Sequence, residues 1–319
     1  MASLSLGPLK LEGQYLLAPM EAVSDVGFRS LCSSLGASFT FTEMVRGASF
    51  ARQNKSTLDL VDTYEQGPVG VQLLTKSPDE LKKVIEMFFK LRETTEYAHY
   101  RNVKAFDLNF GCPNPDLIKI GIGPAMVKRT AKMEALFKTL ATTTRAHDDS
   151  IAVGAKIRLG LNAREKEYKV AYRLAPVANE HLDFFTVHAK HAGQRGREPA
   201  DWNALKELRD VVTTKLIGNG GALDAASARA MRQETRVDGV LIARGAIRNP
   251  WIFRALSERG AELPSVAEVE AAWKQYRETA QLHGTRQKYL DFHDENFQRM
   301  RTALNAAQSA DGTGAARKK

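Results

Sequence analysis

The 319-residue chain predicts a (β/α)8 TIM barrel followed by a small all-helical C-terminal region. Short β-rich runs alternate with longer helix-patterned segments eight times in roughly 240 residues, the size and rhythm of such a barrel. The turn after the first run reads Ala18-Pro19-Met20-Glu21, not the G-x-G-x-x-G that opens a doubly wound dinucleotide-binding sheet, the main rival fold. From Trp251 onward the pattern is helical with no intervening strand. These observations divide the chain into a barrel over 1–250, a helical domain over 251–308 and a disordered basic tail over 309–319, whose composition cannot pack.

The eight strands are expected at 15–18, 38–42, 69–74, 105–109, 152–158, 183–188, 215–218 and 239–243. Between them, 77–95 reads as an amphipathic helix, because Leu81, Val84, Ile85 and Phe88 fall on one face with Lys and Glu opposite. A second helix spans 224–234, where Asp224 can cap the free amides. Cys32 lies in the helical pattern Phe28, Leu31, Cys32, Leu35 and reads as a small buried hydrophobe. The C-terminal region contains helices at 266–282 and 291–306.

A 43% hydrophobic content excludes a wholly disordered chain, and two distant cysteines exclude a disulfide scaffold or a Cys-rich metal site. No apolar run reaches the 18 or so residues that span a bilayer, and 1–13 lacks a secretory pattern, so a cytoplasmic location without membrane attachment is expected. The formal net charge of +9 suits a polyanionic partner.

In a barrel the carboxyl ends of the strands converge on one open face. Here they carry Gln72, Asn109, Cys112, Lys156, Arg158, His188 and Asn219. Each could be a simple backbone cap, but together they mark a site. Lys156 and Arg158 alternate, so both point to the same side of the fifth strand, where an inward Lys needs an anionic or electron-rich partner. Asn219-Gly220-Gly221 follows strand seven and Ala243-Arg244-Gly245 follows strand eight, each just before a helix. Such turns either simply reverse the chain or bind a phosphate, as barrels do after these two strands. Cys112, between Gly111 and Pro113 at the end of strand four, can serve as a nucleophile or a proton donor.

The segments Leu-Leu-Ala-Pro-Met-Glu-Ala-Val-Ser-Asp-Val-Gly-Phe-Arg, Gly-Val-Gln-Leu, Asp-Leu-Asn-Phe-Gly-Cys-Pro, Lys-Ile-Arg-Leu-Gly, Thr-Val-His-Ala-Lys, Asn-Gly-Gly and Arg-Gly-Ala-Ile-Arg-Asn-Pro-Trp-Ile-Phe, in that order over 16–253, resemble the tRNA-dihydrouridine synthase family. The resemblance implies an FMN-binding catalytic barrel, a helical tRNA-binding domain and NADPH as co-substrate, with uridines of tRNA reduced at their 5,6 double bond. It implies that Pro19, Met20 and Glu21 line the flavin and that Gln72 bonds its pyrimidine edge. Lys156 would sit at the flavin N1 and C2 carbonyl, where a cation stabilises the reduced ring. His188, Asn219, Gly220, Gly221, Ala243 and Arg244 would hold the phosphate, Asn109 and Arg158 would contact the uracil, and Cys112 would be the proton donor. A monomer is expected.

The pattern departs from the family at Lys190 (where His-x-Arg is usual), at Gly221-Ala222 (where Asp-Ile is usual) and at Ala243 (where Gly is frequent). Arg46, Lys119, Lys190, His191, Arg195, Arg197 and Arg248 would form a basic rim for the RNA backbone. The runner-up enzyme is a flavin barrel acting on a free pyrimidine, of the dihydroorotate or dihydropyrimidine dehydrogenase kind. A third reading is an RNA-binding protein that keeps the fold without catalysis.

Overall fold

The computed structural model describes residues 3–63, 67–194, 198–258 and 260–316, with side chains described as far as 307. An antiparallel hairpin, β1 (Leu4–Leu6) and β2 (Leu9–Leu11), comes first. Eight strands follow: β3 (Tyr15–Leu17), β4 (Thr40–Arg46), β5 (Val69–Leu74), β6 (Val103–Phe110), β7 (Ala152–Arg158), β8 (Phe184–His188), β9 (Lys215–Asn219) and β10 (Gly239–Ile242). All pair in parallel in chain order, and β10 closes on β3. The fold is therefore the expected closed barrel, and the open-sheet rival is excluded.

Alternation along each strand sends every second side chain inward. At the amino-terminal end these inward residues, among them Leu16, Phe41, Ala105, Phe184 and Ile217, form a buried apolar cluster. Bulky rings fit there because their neighbours lack a Cβ. A Cβ on Gly70 would lie 2.4 Å from Phe41, and one on Gly154 would lie 2.2 Å from Phe184. The hairpin, absent from the sequence-based expectation, plugs this end with Leu4, Leu6 and Leu11. Toward the carboxyl ends the inward residues become polar, and the barrel opens into a mouth.

The helices between strands follow their caps. The 77–95 pattern becomes Pro78–Arg92, where the Ser77 hydroxyl accepts from the Glu80 amide and Leu81, Val84, Ile85 and Phe88 are buried. Ala225–Thr235 starts at Asp224, whose carboxylate accepts from the Ser227 amide at 2.8 Å. Cys32 is fully buried, as expected, in the helix Val26–Ser34.

The C-terminal helices Val266–Leu282 and Gln287–Ala316 pack on the barrel beside that first helix. The second helix continues past 306 into the stretch expected to form a tail; 317–319 lie outside the described residues. Val269, Ala272, Ala280 and Phe297 join the hydrophobic core there, and polar bonds add to the contact. Tyr276 donates to the Asp25 carboxylate at 2.8 Å, and His293 bonds the Val23 carbonyl at 2.9 Å while stacking on Phe28. Arg29 is only 1% exposed. It donates to the carbonyls of Ser24 and Asp62 and lies in the field of Asp25, Asp62 and Glu43. A buried cation is tolerable only in such company.

Candidate functional site

The polar mouth encloses about 820 Å3, counting space open to solvent. Of the residues expected there, Pro19, Glu21, Gln72, Asn109, Cys112, Lys156, Arg158, His188, Asn219 and Ala243 line it together. Register explains the convergence: Asn109 lies opposite Lys156, Arg158 opposite His188, and His188 opposite Asn219, so adjacent strands deliver their ends at one level. Met44 and Gly111 also line the mouth and were not foreseen. Met44, Leu74 and Leu117 form a small apolar corner against the partly buried Cys112.

Met20, Gly220, Gly221 and Arg244 stand outside this lining. Met20 packs against the core, while its backbone N–H is held by the Ser24 hydroxyl at 2.8 Å. Gly220 and Gly221 both have positive φ and lead away from Asn219, with the Gly220 carbonyl accepting from the Trp202 indole at 2.9 Å. A Cβ on Gly220 would lie 2.8 Å from the His188 ring. Arg244 is exposed and opens a five-residue helix, near enough to bias His188 electrostatically.

Of the charged side chains that line the mouth, Lys156 and Arg158 are cationic and Glu21 is anionic. Burial first, then the cations Lys156, Arg158, Lys190 and Arg244, hold His188 well below its ordinary value, so the imidazole is neutral at physiological pH. Burial, then the Arg158 guanidinium, push Lys156 down. Arg158 donates through Nε to the Gly111 carbonyl at 2.7 Å and also bonds the His191 carbonyl. Four cations around a neutral imidazole and two positive-φ glycines suit an anionic group such as a phosphate.

Below them lies a carboxyl group that sequence reasoning passed over. Asp107 is 2% exposed, and burial raises its pKa against the opposing pull of Gln72 and Lys156. The available signal was its place two residues before Asn109, on the same face of β6.

The rim differs in part from expectation. Arg46, Lys119 and Arg248 are exposed and His191 is partly exposed. Lys190 is not a rim residue: it is 2% exposed, with its ammonium on the Glu198 carbonyl, while the Asp201 amide bonds back to the Ala189 carbonyl. Arg195 and Arg197 lie outside the described residues. Among the described residues, no helix is long and apolar enough to cross a membrane.

A family model described as Dihydrouridine synthase (Dus) matches residues 16–312. Two relatives named "Probable tRNA-dihydrouridine synthase" are similar to the chain. The one from Treponema pallidum is 29% identical over 287 residues, covering 87% of this chain and 81% of the relative. The other, from Mycobacterium tuberculosis, is 32% identical over 271 residues, covering 80% of this chain and 64% of the relative. A tRNA-dihydrouridine synthase B from Pasteurella multocida is 25% identical, covering 79% and 71%.

Among solved structures, a 6-hydroxypseudooxynicotine amine oxidase from Pseudomonas geniculata superposes with a TM-score of 0.57 at 13% identity, covering 86% of this chain and 52% of that one. TcOYE with pHBA gives 0.52 at 12%, covering 81% and 92%. At such identities the likeness carries the fold alone.

Proposed function

The chain belongs to the dihydrouridine synthase family, and from that membership we propose that it reduces the C5–C6 double bond of specific uridines in tRNA to dihydrouridine, with FMN bound at the mouth and NADPH as reductant. The observation that carries the reading is the meeting of Cys112, Asn109, Lys156, Arg158, His188 and Asn219 in one cavity at the carboxyl ends of the strands.

The residues present fit a phosphorylated flavin. The cations around His188 and the positive-φ turn at Gly220-Gly221 suit its phosphate, which His188, Asn219, Gly220, Gly221, Ala243 and Arg244 would hold. Lys156 suits an electron-rich ring edge at N1 and the C2 carbonyl. Gln72 would bond the pyrimidine edge, with Pro19, Met20 and Glu21 along the ring. When bound and reduced by NADPH, FMN supplies a hydride to C6 of the base.

Everything else falls to side chains. Asn109 and Arg158 hold the uracil. Arg158 keeps its positive charge because a guanidinium stays protonated even when burial lowers its pKa, so it can also steady charge developing on the ring carbonyls. The Cys112 thiol gives its proton to C5, completing addition across the double bond. A stacked uridine cannot reach this depth, so the base must be extruded, its flanking phosphates meeting exposed cations such as Arg46, Lys119 and Arg248. The helical domain over 251–308 would carry further tRNA contacts.

The test is incubation of the purified protein with NADPH and unmodified tRNA, followed by mass mapping for the gain of two hydrogens on uridine. Cys112→Ala should keep flavin and tRNA yet lose most product. Reoxidation of the reduced enzyme by free uracil or orotate, but not by tRNA, would refute the proposal in favour of the free-pyrimidine enzyme.

A further inference from the structure

Asp107 has no part in the chemistry above, yet it lies at the root of a chain of hydrogen bonds that ends on Cys112. Gln72 sits opposite Asp107 in the β5–β6 register and donates from Nε2 to Asp107 Oδ2 at 2.6 Å. Asn109 Nδ2 donates to Gln72 Oε1 at 2.6 Å. Asn109 Oδ1 then accepts from the backbone amides of Gly111 and Cys112, each at 3.0 Å.

The direction of this chain is forced from the top. Backbone N–H groups only donate, so Asn109 must turn its oxygen toward the Cys112 loop and its nitrogen toward Gln72. Gln72 must answer with its oxygen, which aims its own nitrogen down into the barrel, where only an acceptor can satisfy it. Asp107 supplies that acceptor. Its other oxygen is buried and has no hydrogen-bond partner among the described residues. Asp107 caps no helix, and the packed layer beneath it is apolar; its partners are Gln72, by hydrogen bond, and the buried ammonium of Lys156, by Coulomb attraction.

We propose that Asp107 is a positioning residue: its Oδ2 terminates an amide relay through Gln72 and Asn109 that holds the Cys112 backbone at the mouth and so aims the thiol. The need is for an acceptor at this position, not for a charge. The proposal rests on the assignment of proton delivery to Cys112, but it can be tested apart from it.

The experiment measures alkylation of Cys112 by iodoacetamide in the purified protein, using the plateau rate constant where the thiol is fully ionised, so that a changed local charge drops out. Cys32 is fully buried, and Cys112→Ser provides the blank. Asp107→Asn keeps an acceptor oxygen and should stay within about twofold of the parent, whereas Asp107→Ala should shift the rate at least fivefold. If Asp107→Ala does not fold, Gln72→Met breaks the next link at similar volume and should give the same shift. Dihydrouridine formation in a single turnover should fall with Ala and be rescued with Asn.

Rates unchanged in both Asp107 variants, or shifted equally in both, would overturn the relay. If alkylation follows the predicted pattern while Cys112→Ser still makes dihydrouridine at the parent rate, the relay stands and the role given to Cys112 fails.

Discussion

Gly220→Ala is the substitution whose cost can be worked most directly from the geometry. Gly220 has φ +105, which side-chain-bearing residues rarely adopt, and forcing one there costs about 1–3 kcal/mol. The new Cβ would also lie 2.8 Å from His188 Cδ2 and 3.1 Å from Nε2, with the Ala200 Cβ at 3.3 Å on another side. Carbon contacts are comfortable at about 3.5–4.0 Å, so the imidazole must retreat by roughly 0.7 Å. Its strand is pinned between β7 and β9. Such overpacking adds about 1 kcal/mol or more, for a total of about 2–4 kcal/mol.

The measurement is urea unfolding with linear extrapolation, run beside Gly67→Ala. Gly67 is exposed, its Cβ would meet nothing within 4 Å, and alanine there should be neutral or slightly stabilising. Flavin retention during gel filtration should also fall in Gly220→Ala, because the displaced ring belongs to the proposed phosphate site. If Gly220→Ala unfolds within about 0.5 kcal/mol of the parent and retains its flavin, the conformational argument for this turn is wrong.

Tyr276→Phe removes a buried hydrogen bond to Asp25 across the junction of barrel and helical domain, and should cost about 1.5–3 kcal/mol in thermal or urea unfolding; a loss below about 0.5 kcal/mol would mean that water replaces the hydroxyl without penalty. For His188 the pH dependence has a definite sign. The unfolded chain takes up a proton near the ordinary value of 6.5, while the folded protein holds the imidazole neutral to far lower pH. Below 6.5 the unfolded state binds more protons, so stability falls with falling pH at up to about 1.4 kcal/mol per unit. His188→Gln should therefore narrow the stability loss of the flavin-free protein between about pH 7.5 and 5.5. Parallel profiles for the two proteins would contradict a depressed His188.

The strands could be read from the sequence because each announces itself locally, by an apolar run ending in turn residues, and eight such runs at this spacing have few other ways to pack. The polar strand ends followed, since Gln72, Asn109, Lys156, His188 and Asn219 share the inward parity of their strands and must converge if the sheet closes. The hairpin Leu4–Leu11 escaped notice because three-residue strands carry too little periodicity; its role as a plug depends on a barrel end being there to fill. Lys190 looked like a rim cation by composition, yet the carbonyl that captures it lies eight residues on.

The sequence by itself determined the barrel, its order of strands and the chemical kinds of group at the mouth, because these follow from side-chain alternation and from the shape of a closed parallel sheet. Tertiary structure alone decided who bonds to whom. Asp107 meets Gln72 across 35 residues, and Tyr276 meets Asp25 across 251. A hydrogen bond depends on a few tenths of an ångström between atoms brought together by the whole fold, and no local pattern in the chain encodes that distance.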